Sequence, residues 1–185
     1  DGLFYYEFLF LCVYETLFTS SVNNVDFELS EHSADKFRLL VYSPDYKTPE
    51  WFHGGTMYQI FTDRFFCGSG KVGSRDDTVM NTDWNGGVKQ YAEYPGAPVA
   101  NNEFFGGNLW GIAEKLDYLK SLGVTVIYLN PIFEAYSSHK YDTGDYMKVD
   151  AMFGGEKALK NLIVKCKEQG IRIILDGVFN HTGSD

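Results

Sequence analysis

Asp176 is followed four and five residues later by Asn180 and His181, and an earlier segment holds His139, Tyr141, Asp142 and Asp145 within seven residues. Asp, Asn and His side chains together can bind a metal ion or a polyhydroxyl ligand. A tyrosine ring adds a flat face on which the apolar side of a sugar can stack. A lone Asp capping a turn would account for Asp176 by itself. Two segments carrying His, Tyr and Asp go beyond that account if the fold brings them to one place. Gly68, Gly70 and Gly73 spell the G-x-G-x-x-G of dinucleotide-binding loops. That chemistry needs a helix opening at the third glycine, so that its N-terminus meets the pyrophosphate. Ser74, Arg75, Asp76 and Asp77 instead lead into a polar stretch without apolar period, so a flexible loop is expected. Cys12, Cys67 and Cys166 are odd in number and widely spaced, with no C-x-x-C among them. Reduced thiols are expected, not a zinc site or a disulfide framework.

These residues must be positioned by regular elements, and the second part of the chain supplies them. Residues 124–129 and 171–175 are continuous apolar runs, partly β-branched, which reads as strands buried on both faces. Residues 56–61 form a shorter mixed run. Leu109, Ile112, Ala113, Leu116 and Leu119 recur at helical spacing, with Asn108 placed to cap one helix and Gly123 to end it. A second helix turns Leu159, Leu162, Ile163 and Cys166 inward and ends at Gly170. Residues 67–102 are expected to be one long loop. The alternation of strand and helix predicts an α/β fold, a parallel sheet with helices outside. Chemistry in such folds sits at the carboxyl ends of the strands. Asp176 ends the third strand and the His139 segment follows the second, so both are expected on that edge. A doubly wound sheet and a (β/α)8 TIM barrel both fit. A barrel takes about 250 residues, and the 130 residues from Thr56 onward suffice for three strands. A barrel here would therefore be truncated.

The first part reads differently. Residues 4–14 and 37–42 are aromatic and β-branched runs separated by polar turn residues, and Pro44 and Pro49 bracket a linker. This is too little for a complete sandwich of about 100 residues. The expected domains are the tail of a β-sandwich over residues 1–48 and an α/β unit over 49–185. Charge agrees with two units: seven acidic residues precede Lys36, the first basic one, leaving −2 of the net −9 for the remainder. An acidic chain of 185 residues with 44% hydrophobic and 22% charged residues is globular and is not expected to bind nucleic acid. The longest strong apolar run, residues 8–14, is far short of the ~20 residues a bilayer needs and lacks the basic flank of a signal peptide. No membrane partner is expected, and the cytoplasm is favoured over secretion. The chain begins with Asp1 and reads as a piece of a longer protein. Its 17% aromatic content fits β-strands first, and a surface for sugars only second.

Four motifs in order carry a resemblance: Met57-Tyr58-Gln59-Ile60-Phe61-Thr62-Asp63-Arg64-Phe65, Leu129-Asn130-Pro131-Ile132-Phe133, His139-Lys140-Tyr141-Asp142 and Asp176-Gly177-Val178-Phe179-Asn180-His181. Together they resemble glycoside hydrolase family 13, the α-amylase family, and within it the neopullulanase, cyclomaltodextrinase and α-glycosidase type, which carries a β-sandwich ahead of its barrel. The similarity covers residues 51–185, about three quarters of the chain.

The resemblance implies the first three strands of a truncated (β/α)8 barrel and a retaining enzyme acting on α-1,4 or α-1,6 bonds of maltodextrin, pullulan or cyclodextrin. It implies Tyr141 as a platform under the sugar, His181 as its hydrogen-bond partner, His139 close by, and Asp176 as support for the site wall. Retaining hydrolysis needs two carboxylates about 5–5.5 Å apart. The family places them after strands four and five, so no catalytic residue is expected among these 185. Asn180 matches a calcium-binding position in many family members, although a single amide is a weak calcium site. A second family calcium site lies between the loop after the first strand and a Gly-Gly-Asp. Here Cys67, Ser69 and Gly106-Gly107-Asn108 stand in those places, so it is expected to be absent or weak. No other cofactor is implied. The expected partner is an α-glucan, and a homodimer of the longer protein is open. The competing readings are a non-catalytic glucan-binding relic of the same fold and, on the glycines alone, a nucleotide-binding protein.

Overall fold

The computed structural model describes residues 1–88 and 90–183. Contacts divide the chain into two units, Asp1–Glu50 and Trp51–Asp185. No helix is long and apolar enough to cross a membrane among the described residues.

The first unit is all β. β1 (Gly2–Tyr6) pairs antiparallel with β5 (Phe37–Val41), while β2 (Leu9–Leu11), β3 (Thr16–Ser21) and β4 (Phe27–Ser30) form a second antiparallel sheet. The aromatic run is therefore two strands, because Phe8 leaves the β1 ladder and donates its N–H to Thr19 Oγ1 at 2.8 Å. Among the described residues of this unit only Thr19 and Phe37 are buried. Phe37 stacks on Tyr6 with ring centroids 5.3 Å apart.

The second unit is α/β. Its sheet has the order β12 (Arg172–Leu175), β9 (Val124–Leu129), β6 (Thr56–Ile60), all parallel. The register places Ile60, Leu129 and Leu175 in one row, so all three strands end together and their following loops leave from one edge. Successive side chains of a strand alternate faces. On one face Tyr58, Ile60, Ile127, Leu129 and Ile173 join a core built with Leu109, Ile112, Leu116, Leu119, Leu162 and Cys166 from the helices. On the other face Met57 and Gln59 are exposed and Ile174 half-buried. The expectation of strands buried on both faces thus holds for the central β9 and fails for β12, where Ile173 and Ile174 are half-buried and no residue is fully buried.

Helical spacing located both helical regions, with differences. Residues 109–121 form two short helices, α1 (Leu109–Glu114) and α2 (Leu116–Ser121), rather than one. At the break the Lys115 amide is shared between the carbonyls of Gly111 and Ile112, a local tightening toward 3-10 geometry. Asn108 Oδ1 caps α1 by accepting the Gly111 N–H at 2.9 Å. In α3 (Gly155–Glu168), Ala158, Leu162 and Cys166 are buried, but Ile163 is 47% exposed and lies outside the inward stripe. The stretch over residues 67–102 is not wholly irregular: β7 (Val79–Met80) pairs in parallel with β8 (Glu103–Phe104). The segment after β9 contains an antiparallel hairpin, β10 (Phe133–Ala135) with β11 (Thr143–Val149), which no period in the sequence revealed.

Candidate functional site

The turn of the β10–β11 hairpin, residues 136–142, carries the first cluster of candidate residues. Its conformation rests on Ser137 and Asp142. The Asp142 carboxylate accepts the Ser137 N–H at 3.0 Å and a close hydrogen bond from the Ser137 hydroxyl. Burial tends to raise the Asp142 carboxyl, but these two bonds outweigh it and hold the group below the ordinary carboxylate range. The Tyr141 N–H donates to His139 Nδ1 at 3.1 Å, and the two rings lie 6.0 Å apart at 34°. With Nδ1 accepting that N–H, the ring proton of neutral His139 sits on Nε2; Ser137 Oγ also lies 3.0 Å from Nδ1, a contact whose direction follows the tautomer. Burial lowers the His139 pKa, Lys140 adds to the lowering, and only Asp142 opposes it.

The loop after β12 supplies the second cluster. Asp176, just past the strand, accepts a hydrogen bond from the Tyr141 hydroxyl at 3.0 Å and another from Tyr128. Both phenols are raised, first by burial and then by the carboxylate they donate to. Further along, the Tyr146 hydroxyl of β11 lies within hydrogen-bond reach of the carbonyls of Val178 and of His181, the latter at 2.8 Å. The Gly183 N–H donates to Thr143 O at 2.9 Å. The hairpin and the β12 loop are therefore laced together at the carboxyl edge of the sheet.

Between them opens a pocket of about 370 Å³ lined by Tyr136, His139, Tyr141, Asp142, His181, Thr182 and Gly183. His139, Tyr141 and His181 share it, and Asp176 stands behind Tyr141. Two candidates lie elsewhere. Asp145 is exposed on β11, accepts the Met147 N–H at 2.8 Å, and faces a neighbouring hollow with Arg75 and Asp77. Asn180 is exposed, its amide nitrogen 3.2 Å from His181 Nδ1. Tyr128, Tyr136 and Ser137 were not singled out by the sequence. A larger groove of about 500 Å³ between α3 and β12 has no acid, histidine or aromatic ring in its lining.

The geometry bears on metal and nucleotide binding. Among the described residues no three His, Cys, Asp or Glu side chains gather to hold a metal. Asn108 uses its whole amide: Oδ1 accepts from Gly111 N and Gly68 N, while Nδ2 donates to Gly106 O and Gly68 O, at 2.9–3.4 Å. The Gly68 to Gly73 pattern serves close packing. A Cβ on Gly68 would fall 2.1 Å from the Gly111 nitrogen, one on Gly70 2.3 Å from the Trp110 ring, and one on Gly73 2.7 Å from Ala151 Cβ. No helix opens at Gly73, so the helix N-terminus that a pyrophosphate needs is missing from this loop.

A parallel α/β sheet with its polar pocket outside the carboxyl ends of the strands has the layout of barrel and doubly wound enzymes. Residues 59–185 match the family described as alpha amylase, catalytic domain, and the chain belongs to that family, glycoside hydrolase family 13. It is 47% identical over 161 residues to an amylopullulanase of Thermoanaerobacter thermohydrosulfuricus, a match covering 80% of this chain and 11% of that protein. It is 42% identical over 138 residues to a cyclomaltodextrinase of Geobacillus thermopakistaniensis, covering 75% and 21%. Among solved structures, the type III pullulan hydrolase from Thermococcus kodakarensis superposes with a TM-score of 0.62 at 31% identity over 91% of this chain and 31% of the other. The chain thus spans between about a tenth and a fifth of the curated relatives named here.

Proposed function

We propose that this chain forms the sugar-binding part of a retaining α-glucan hydrolase that cleaves or transfers α-1,4 or α-1,6 glucosidic bonds in maltodextrin, pullulan or cyclodextrin. Its three parallel strands are the first three of a (β/α)8 barrel, and residues 1–48 are the end of a preceding β-sandwich. One observation carries the reading: the pocket at the carboxyl edge that joins the Tyr141 ring to His139 and His181. The Tyr141 ring is the platform for an apolar sugar face. His139 Nε2–H and the His181 ring donate to or accept from sugar hydroxyls. Asp176 holds the Tyr141 ring at its hydroxyl.

This chain binds and orients the sugar, and the bond is broken by a carboxylate pair from strands four and five of the barrel in a longer protein. Asp142 accepts from Ser137 and Asp176 from two phenols, and on this reading both have a positioning role. The reading requires no cofactor. Asn180 is the weak calcium candidate of the resemblance, and its exposed amide beside His181 does not make the oxygen-rich cage that calcium takes.

The test is a maltotriose titration of the chain followed by NMR. Saturable shifts in the resonances of His139, Tyr141 and His181 are expected, with affinity at least about tenfold weaker in Tyr141→Ala, about 1.4 kcal/mol. Equal affinity in the variant, or no saturable shift in the wild type, would remove this reading.

A further inference from the structure

Lys140 stands between His139 and Tyr141, and its backbone is left-handed, with φ of +62°. Glycine adopts that conformation freely, whereas a residue with a side chain does so at a cost. If the turn alone mattered, glycine would serve. The lysine side chain instead runs inward and is wholly buried. Its Nζ donates to Asp150 Oδ2 at 2.5 Å and to Ala135 O at 2.9 Å, and lies 4.9 and 5.3 Å from the ring centroids of Phe104 and Phe153. The backbone of Lys140 is tied as well: its N–H donates to Ser137 Oγ at 2.9 Å, and its carbonyl accepts from Thr143 Oγ1 at 3.0 Å. Asp150 is itself fixed, accepting the Met152 N–H at 2.8 Å on the turn that leads into α3. Lys140 therefore connects the hairpin turn to both ends of β10–β11, to β8 and to the entrance of α3.

A buried ion pair contributes little net stability, because desolvating two charges offsets their attraction. Its better-attested use is to select one arrangement among several. The only side chains flanking Lys140 in sequence are two that line the pocket.

We infer that Lys140 is a positioning residue of the pocket: the anchoring of its ammonium on Asp150 and Ala135 sets the left-handed turn that holds His139 and Tyr141 side by side. Lys140 does not touch the ligand. The ligand-binding readout below rests on the sugar-site reading, and the spectroscopic readout does not.

The experiment compares the full chain with Lys140→Gly, which leaves the left-handed conformation accessible but no longer imposed and removes the anchor, and with Lys140→Met combined with Asp150→Asn, which neutralises both partners. Thermal unfolding, the ring nitrogen shifts of His139 and maltotriose affinity are measured on each. The expected result is a folded variant whose His139 nitrogens no longer show an acceptor Nδ1, with affinity at least tenfold weaker. A folded variant with wild-type His139 shifts and wild-type affinity overturns the inference and leaves a purely structural ion pair. If the wild type binds no maltotriose, the sugar reading fails while the His139 shifts still decide the role of Lys140. If neither variant folds, the wild type decides. A Lys140 ammonium and a Tyr141 N–H both protected from solvent exchange support the anchored turn, and rapid exchange of either overturns it.

Discussion

His139 shows how one residue couples the pocket to pH. Its Nδ1 accepts the Tyr141 N–H, which only the neutral ring can do. Burial favours the same form, so the folded pKa lies below the ordinary imidazole value of about 6.5. The sign follows. Between these two values the unfolded chain holds more protons than the folded one, so stability rises with pH there. The contribution is complete above about pH 6.5 and is lost as pH falls through the folded value. The difference in unfolding temperature between wild type and His139→Gln is therefore expected to shrink from pH 7 to pH 5, and parallel curves would contradict the assignment. Asp142 acts in a separate window, since a depressed carboxylate contributes above about pH 4 and loses that contribution only as pH falls further. At this scale the sequence supplied the residue types, and His139, Tyr141, His181 and Asp176 were legible as candidates from their places after strand-like runs. Tyr128 and Ser137 were not, because a tyrosine in an aliphatic strand and a serine in a turn look ordinary until their partners are known.

Among the elements, the start of α1 shows a local signal with a long-range role. Asn108 was legible as a helix cap because its side chain precedes an apolar helical stripe. Its bonds to Gly68 were not, since they join segments 40 residues apart. Asn108→Ala removes the cap and leaves the Gly68 amide without its acceptor. A loss of about 1 kcal/mol for the cap and about 1–3 kcal/mol for the unpaired group is expected, read from the urea midpoint. A loss under about 0.5 kcal/mol would show that the clasp contributes nothing. The β10–β11 hairpin escaped sequence reading for a related reason. Its register is interrupted at Phe133/Glu134 and Glu134/Ala135, so neither strand keeps the two-residue alternation that marks a strand. The break at Lys115 was likewise invisible, because the apolar spacing runs through it unchanged.

For the molecule as a whole, the metal question gives the clearest prediction. The Asn108 amide cross-links by hydrogen bonds the two segments that a calcium ion joins in the family pattern. If calcium plays no part in the fold, neither millimolar calcium nor EDTA moves the unfolding temperature by more than about 1 °C, whereas a bound ion at a hundred times its Kd would stabilise by about 2.7 kcal/mol. The same whole-molecule view separates what was written locally from what was not. By itself the sequence determined the alternation of apolar runs and helical stripes, the change of character between the two units, and the motifs that mark the family. These depend on residues close in the chain, where periodicity and capping are expressed directly. Only the tertiary structure decided that the glycines of residues 68–73 serve packing, and that His139, Tyr141 and His181 meet in one pocket while Asp145 does not. Each of those outcomes depends on contacts between segments tens of residues apart. Such contacts are set by register, close approach and burial, and no spacing along the chain records them.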